Sequence, residues 1–363
     1  MKCGAWSFHP ALEAFDRFRG QWDAVNLKQN NHVLLDSGFV ALLLRDFGSR
    51  DVMLAIKEDD GNPAIALIER KVAGSWETFQ PSLAPLGLIL FGDGEKAADN
   101  VRSLMRSLPG YVVQFGVLQQ DPNCWGLSAV DNSNWVEKLD YLQTARIPLY
   151  GTFQEYWDAR EDRLRKNNDR LRRRMAEKGM NIEFTITRDP ADVEDAVREF
   201  GRLESKGWKA KEGTAMTGDD AQGLFYRAVL EYFCKRNEGV TYQLRVNGEL
   251  VATDLCLIRG EMFVVLRTTY DEEWKVYAPG VLLREDIVRS LYAEGQVRNY
   301  EFYGPLMEYQ LRWTRDIRTI YHLTCFRHPW IRGARQLVKR GIANDERPTT
   351  RLRAIDSKGA AVS

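Results

Sequence analysis

Residues 242–269 read YQLRVNGELVATDLCLIRGEMFVVLRTT, and two turns divide them into three short apolar runs. Asn247-Gly248 is a strong hairpin signal, because both residue types tolerate the positive φ angles of a tight two-residue turn. Arg259-Gly260 turns the chain a second time. Residues 242–246, 250–259 and 261–269 therefore read as an antiparallel meander.

The flanks extend this pattern. Residues 280–294 place Val281, Leu282, Ile287, Val288 and Leu291 on one helical face, and Gly295 closes the helix. Strands at 300–303 and 320–326 follow. Upstream lie a strand at 181–187, a helix at 190–206, a loop at 207–217 and a helix at 219–236. The second half thus reads β-α-α-β-β-β-α-β-(short helix)-β, a mixed α/β (α+β) unit.

The first half has a related mixture. Residues 16–26 are sparse in apolar positions, whereas 39–47 (FVALLLRDF) have the spacing of one buried helix. Residues 51–57 and 64–70 flank Asp59-Asp60-Gly61-Asn62-Pro63 and read as a hairpin, with 86–91 as a third strand. A helix over 96–108 stops at Pro109-Gly110, and 111–118 returns to a strand pattern. Between the halves, 152–178 reads as one long, basic helix, capped by Thr152 with Glu155 and closed by Gly179.

A chain of 363 residues exceeds what one core usually organises, so two domains are expected. The 51 basic and 51 acidic residues leave no net field that would attract nucleic acid wholesale. Five scattered cysteines suit a reducing compartment, and the four histidines form no metal-binding spacing, so no metal is expected. No apolar leader opens the sequence and no stretch reaches the length of a membrane span, which makes the cytoplasm the default location.

The order of meander, loop, amphipathic helix and strand suits an acyl-CoA site. A splayed strand offers backbone groups to pantetheine, and the next helix N-terminus receives pyrophosphate. Residues 261–269 would be that strand, with Leu266, Arg267 and Thr268 along the donor. The loop from Lys275 through Ala278 to Pro279-Gly280 would direct the N–H groups of Gly280, Val281 and Leu282 at phosphate oxygens. A plain turn and helix cap explains Pro-Gly equally well.

Several segments carry a family resemblance: Leu164-Arg165-Lys166 with Arg172-Arg173-Arg174; residues 204–209 (ESKGWK); residues 277–283 (YAPGVLL); and residues 300–304 (YEFYG) with 309–313 (YQLRW). Together they resemble the GNAT acetyltransferase superfamily, in the branch related to cellulose-biosynthesis acetyltransferases and Fem-type peptidyltransferases. Lys275, Ala278 and Gly280 stand at the places of the family's phosphate loop, and two of the three depart from its usual residues. The resemblance implies tandem GNAT-like domains: a degenerate one over 1–150, a basic bridging helix over 151–179, the acyl-CoA-binding one over 180–335, and a disordered polar tail over 336–363. It also implies an acceptor groove between the domains, with acceptor-side contacts from Lys206, Trp208 and Lys209.

Acyl transfer to an amine needs a base for the amine proton and an acid for the leaving thiolate. Asp254 interrupts an apolar strand and Glu301 sits just inside another, so either could be the base; a solvated or salt-bridged carboxylate is the plain alternative. Tyr303 and Tyr309 could supply the acid, or could be packed aromatics. The leading expectation is an N-acyltransferase using acetyl-CoA or another acyl-CoA and a small-molecule, sugar or amino-acid-type amine. One alternative is a Fem-type enzyme using aminoacyl-tRNA, gripped by the arginine-rich helix. Another is a non-catalytic GNAT-like partner in polysaccharide or metabolite assembly.

Overall fold

A computed structural model describes residues 5–59, 62–123, 133–207, 213 and 215–335. Trp208, Lys209 and the 336–363 tail lie outside the described residues. Within them, one succession of elements occurs twice. The first passage is β1 (Trp6–Pro10), α1 (Ala11–Lys28), α2 (Ser37–Phe47), β2 (Met53–Lys57), β3 (Ala64–Val72), β4 (Ser75–Thr78), β5 (Ile89–Phe91), α3 (Ala97–Ser107) and β6 (Gln114–Gln120). After β7 (Val136–Pro148), α4 (Phe153–Asp158) and α5 (Asp162–Glu177), the order returns. It comprises β8 (Ile182–Thr187), α6 (Val193–Glu204), α7 (Ala221–Cys234), β9 (Gly239–Val246), β10 (Glu249–Arg259), β11 (Met262–Tyr270), α8 (Pro279–Glu294) and β12 (Asn299–Glu301), with β13 (Asp316–Phe326) last.

The meander forms as its turns require. Asn247 and Gly248 both adopt positive φ, and β9, β10 and β11 pair antiparallel through them and Gly260. The basic segment is two helices rather than one: α4 starts on the Thr152–Glu155 capping box, and the chain bends at residues 159–161 before α5. Three strands, β1, β4 and β7, and the whole of α1 add to what the sequence pattern showed.

The two repeats share one sheet, ordered β1-β2-β3-β4-β6-β13-β7-β12-β11-β10-β9-β8 with β5 beside β3. Their closing strands are exchanged. β7, which follows the first repeat, pairs antiparallel with β12 of the second, while β13, which follows the second, pairs antiparallel with β6 of the first. β7 and β13 also pair with each other, and so the seam of the sheet is made from the closing strands of both repeats.

The repeats meet across a shared core as well. Phe39 and Phe47 of α2 place their ring edges against Phe225 of α7, with centroids 5.8 and 5.6 Å apart. The contact is close enough that a Cβ on Gly38 would lie 2.1 Å from the Tyr232 ring, so only glycine fits. At the rim, Arg259 of β10 reaches the N-cap carboxylate of α2, Asp36, at 2.7 Å. On the other face of the sheet, α8 covers Phe263, Val265 and Tyr300 as a second core.

Candidate active site between the repeats

The site begins where two strands part. β11 and β12 pair in parallel only over Met262↔Asn299, Phe263↔Tyr300 and Val264↔Glu301. β12 then ends, while β11 continues to Tyr270. A register shift against β10 at Leu255/Cys256 leaves Leu266 as an extra residue in β11 and turns Arg267 to the α6–α7 side. There Arg267 pairs with the buried Glu204 at 2.7 Å and donates to Gln222 at 3.0 Å. Leu266, Arg267 and Thr268 thus lie half-buried along the stretch of β11 that no longer touches β12.

α8 starts at this opening. Its N-cap, Ala278, adopts a left-handed conformation (φ 49°, ψ 51°), and Pro279 occupies the first helical position. The Ala278 carbonyl accepts from the N–H groups of Val281 and Leu282 at 2.9 and 3.2 Å, so Gly280 is the one of the three not drawn into that pairing. Lys275 is exposed on the turn before. Tyr277, next to the cap, receives a hydrogen bond from Lys178 Nζ at 2.9 Å, and the Arg174 guanidinium lies 5.5 Å from its ring centroid. Arg172 anchors α5 onto α8 through Asp286 at 2.7 Å. The basic helix therefore lies against α8 and the turn that precedes it.

Of the four side chains that the sequence marks as candidates for chemistry, the structure makes two pairs. Asp254 and Tyr309 lie on the α8 side around the buried Arg284. Arg284 is 3.3 Å from Asp254 and 5.2 Å from the Tyr309 ring centroid, and its Nε donates to the Tyr300 hydroxyl at 3.1 Å. Burial pushes the Tyr300 phenol well above its usual range, although Arg284 pulls the other way.

Glu301 and Tyr303 lie on the opposite side, facing the first repeat. Glu301 approaches Arg318 of β13 at 2.7 Å, and Arg318 in turn donates to the fully buried Asp121. Two carboxylates share one guanidinium here. Burial raises the Glu301 carboxyl to about 7, with Arg318 opposing and Asp121 adding to the rise. Beside it, Arg146 of β7 pairs with Asp316 of β13 at 2.7 Å.

Among the described residues, two buried polar atoms on this patch have no hydrogen-bond partner, Arg318 Nη1 and Thr144 Oγ1, and they flank the Glu301–Arg318 pair. Thr144 and Arg318 are cross-strand neighbours, and so are Arg146 and Glu301. The two atoms and the Glu301–Arg318 pair consequently belong to one face of the adjacent strands β12, β7 and β13. Buried polar atoms are paired as a rule, so such a cluster is a mark of a place built for something polar.

Tyr303 completes the patch. It holds a left-handed backbone (φ 48°), an outlier for a bulky residue. Its hydroxyl meets His32 Nε2 at 2.7 Å, and the Arg318 guanidinium lies 5.0 Å from its ring centroid. Burial drives the His32 ring down to about 4, and it is neutral at physiological pH. Sequence reading missed His32, Asp121 and Arg318. The one local signal was Arg318 standing as a charge in the alternating run Asp316-Ile317-Arg318-Thr319-Ile320. Lys206 is exposed just past α6.

Residues 162–311 match the model of a family described as acetyltransferase (GNAT) domain, and over this part the chain is similar to that family. The fold of the whole is similar to that of the C-terminal DUF2156 domain of a putative lysylphosphatidylglycerol synthetase from Agrobacterium fabrum (TM-score 0.55, 13% identity, 91% of this chain and 96% of that one). It is also similar to a conserved protein of unknown function from Bacteroides thetaiotaomicron (TM-score 0.52, 11% identity, 88% and 99%) and to FemX (TM-score 0.50, 10% identity, 79% and 90%). No curated protein matches the sequence. The chain is a tandem of GNAT-like units with the fold of a GNAT acyltransferase. Among the described residues no helix is long and apolar enough to cross a membrane, and no cluster of side chains is arranged to hold a metal ion.

Proposed function

We propose that the protein is an N-acyltransferase that moves an acetyl or longer acyl group from acyl-CoA to the amine of a small-molecule, sugar or amino-acid-type acceptor. The observation that carries this reading is the position of Glu301. It is the last residue of β12 paired with β11, it faces the seam between the repeats, and its carboxyl titrates near neutrality. A general base works best when its pKa lies near the operating pH.

The residues along the opening fit an acyl-CoA. Leu266, Arg267 and Thr268 would follow the pantetheine arm, and the Ala278–Leu282 turn would take the pyrophosphate at the α8 N-terminus, led by the Gly280 N–H. Lys275, Arg174 and Lys178 add positive charge at the same end. We assign 180–335 to the donor, with 151–179 supporting its phosphate end. We assign 1–150 to the far side of the acceptor groove, and Lys206, Trp208 and Lys209 to acceptor-side contacts.

The bound thioester supplies an activated acyl group. Glu301 takes a proton from the acceptor amine, and Arg318 holds Glu301 in place while balancing its charge. Tyr303 delivers a proton to the departing sulfur. Asp254 and Tyr309, on the other face, fix Arg284 beneath α8 and so hold the helix that carries the phosphate turn.

A second reading keeps the fold and changes the donor to aminoacyl-tRNA. It is favoured by the exposed arginines of α5, Arg163, Arg170 and Arg173. Thermal melts with acetyl-CoA and longer acyl-CoAs, beside salt-dependent binding of aminoacyl-tRNA, separate the two. Acyl-CoA raises the melting point if the first reading holds. A flat response across the acyl-CoA set, together with tRNA binding, transfers the proposal to the second.

A further inference from the structure

We infer that the first repeat supplies part of the catalytic centre itself: His32 is the positioning residue that holds the Tyr303 hydroxyl as the acid for the leaving thiolate. This rests on the acyl-transfer reading above.

The hydrogen bonds fix the direction of the contact. His32 Nδ1 accepts the backbone N–H of Leu34 at 3.2 Å, so in the neutral ring the proton is on Nε2. Nε2 then donates to the Tyr303 oxygen across 2.7 Å. Tyr303 is thereby the acceptor in this pair, and its own O–H proton is not committed to His32. A hydrogen bond received at the phenol oxygen also favours the phenolate that remains once that proton is given up.

Both partners are held where they are. The Asn26 side chain clamps the His32 backbone from two directions, donating to its carbonyl and accepting its N–H, each at 3.0 Å. The turn between them carries Asn30 and Asn31 at φ 68° and 49°, and Asn30 donates onward to the Asn123 carbonyl, two residues past Asp121. The rings of His32 and Tyr303 meet edge to face, with centroids 5.3 Å apart. The charges felt by His32 are Asp121, Arg318 and Arg259, and burial outweighs them to keep the ring neutral. Three strained backbones converge on one hydrogen bond between residues 271 positions apart.

The step balances as follows. The amine nitrogen forms a bond to the acyl carbon, and its proton passes to Glu301. The carbon–sulfur bond breaks, the electron pair leaves on sulfur, and the Tyr303 proton neutralises it as CoA thiol. The phenolate is held by His32 Nε2–H and faces Arg318 until it regains a proton from solvent after product release.

The test uses acetyl-CoA with hydroxylamine as surrogate acceptor. Hydroxylamine is largely unprotonated at neutral pH, so no deprotonation has to precede its attack and the high-pH limb of turnover reports the acid. Release of CoA thiol is followed against pH for the full chain and for H32Q, H32F, Y303F and H32F/Y303F, with the uncatalysed rate subtracted. Losing a hydrogen bond to a developing charge lowers kcat in H32F roughly tenfold to a hundredfold, with the KM for acetyl-CoA unchanged. The high-pH limb moves upward in H32F, H32Q recovers most of the rate through its amide N–H, and H32F adds no further loss in the Y303F background. A merely structural histidine would leave the limb in place and show an independent loss in that background. Wild-type kinetics in H32F, or additive losses, overturn this inference alone. No response of the parent protein to any acyl-CoA overturns the acyl-transfer reading and this inference with it.

Discussion

Asp254 and Glu301 are two strands apart in one sheet and project from opposite faces of it. Asp254, on β10, meets Arg284 under α8, whereas Glu301, on β12, meets Arg318 at the seam between the repeats. Both are buried carboxylates beside an arginine, and in the proposed mechanism only their faces separate a structural role from a chemical one. Substituting each therefore gives different results. Asp254→Ala leaves Arg284 buried without its carboxylate, which costs about 3–5 kcal/mol of stability. The protein that remains folded keeps its turnover. Glu301→Gln lowers kcat/KM with an amine acceptor by roughly two to four orders of magnitude and removes the rising limb near pH 7. Chemical denaturation and pH–rate profiles on both variants check this pair of outcomes.

The titration of Glu301 and His32 also shapes stability. The Glu301 carboxyl is raised to about 7 in the fold, so between its unfolded value and 7 the native state binds the extra proton, and stability falls as pH rises through that window. His32 has the opposite sign. Its value is lowered to about 4, so its contribution is complete above its unfolded value of 6.5 and is lost as pH falls toward 4. Each amounts to something on the order of 3 kcal/mol at most, and in the wild type they largely cancel between about pH 4.5 and 6.5. Glu301→Gln removes one side of the balance and leaves a stability that climbs with pH over this range. Urea midpoints measured at half-unit pH steps show the slope, and a flat profile in the variant would contradict the assigned titrations.

What was legible in the sequence follows from how local each signal is. Asn247-Gly248 dictates its hairpin through φ angles alone, and the meander and α8 came out close to their observed bounds. α1 was passed over because the apolar face Ala11, Ala14, Phe15, Trp22 and Val25 starts before the sparse stretch at 16–26 and continues through it. β7 escaped notice because residues 137–143 are mostly exposed and mix charge with apolar groups, so neither period stands out. Glu301 and Tyr303 could be marked from their own strand. Their partners could not, since Asp121 and Arg318 meet across 197 positions and His32 and Tyr303 across 271. The exchange of β7 and β13 has no local trace, because a strand's sequence states its faces and not its neighbours.

The turn before α8 offers a direct test of the proposed donor site. A Cβ on Gly280 would lie 3.6 Å from the Tyr270 ring, an ordinary contact, so folding tolerates a side chain there. A ligand phosphate at the same N–H would not. Gly280→Val is expected to melt within a degree or two of wild type while losing acetyl-CoA affinity by roughly tenfold or more, since a branched side chain both blocks the approach and stiffens the first turn. Calorimetric titration with CoA reads the effect. Unchanged affinity would move the pyrophosphate elsewhere.

The exchanged strands predict that neither repeat folds alone. A fragment of residues 151–363 keeps β12 without its β7 partner and β13 without either neighbour, and it leaves Arg318 buried-side out, with no Asp121. It also exposes Phe225 and Tyr232, which the first repeat covers through Phe39 and Gly38. A fragment of residues 1–150 has the complementary defect, with β7 extended from the sheet and its pairing edges open on both sides. Each fragment alone is expected to aggregate or to unfold without a cooperative transition. Produced together, they re-form the seam, because the cut after Pro148 and before α4 severs no strand and each piece supplies the strand the other lacks. Co-elution on size exclusion and a shared melting transition mark the reconstituted pair. A cooperative melt of 151–363 by itself would show that the seam is dispensable, and with it the joint active site.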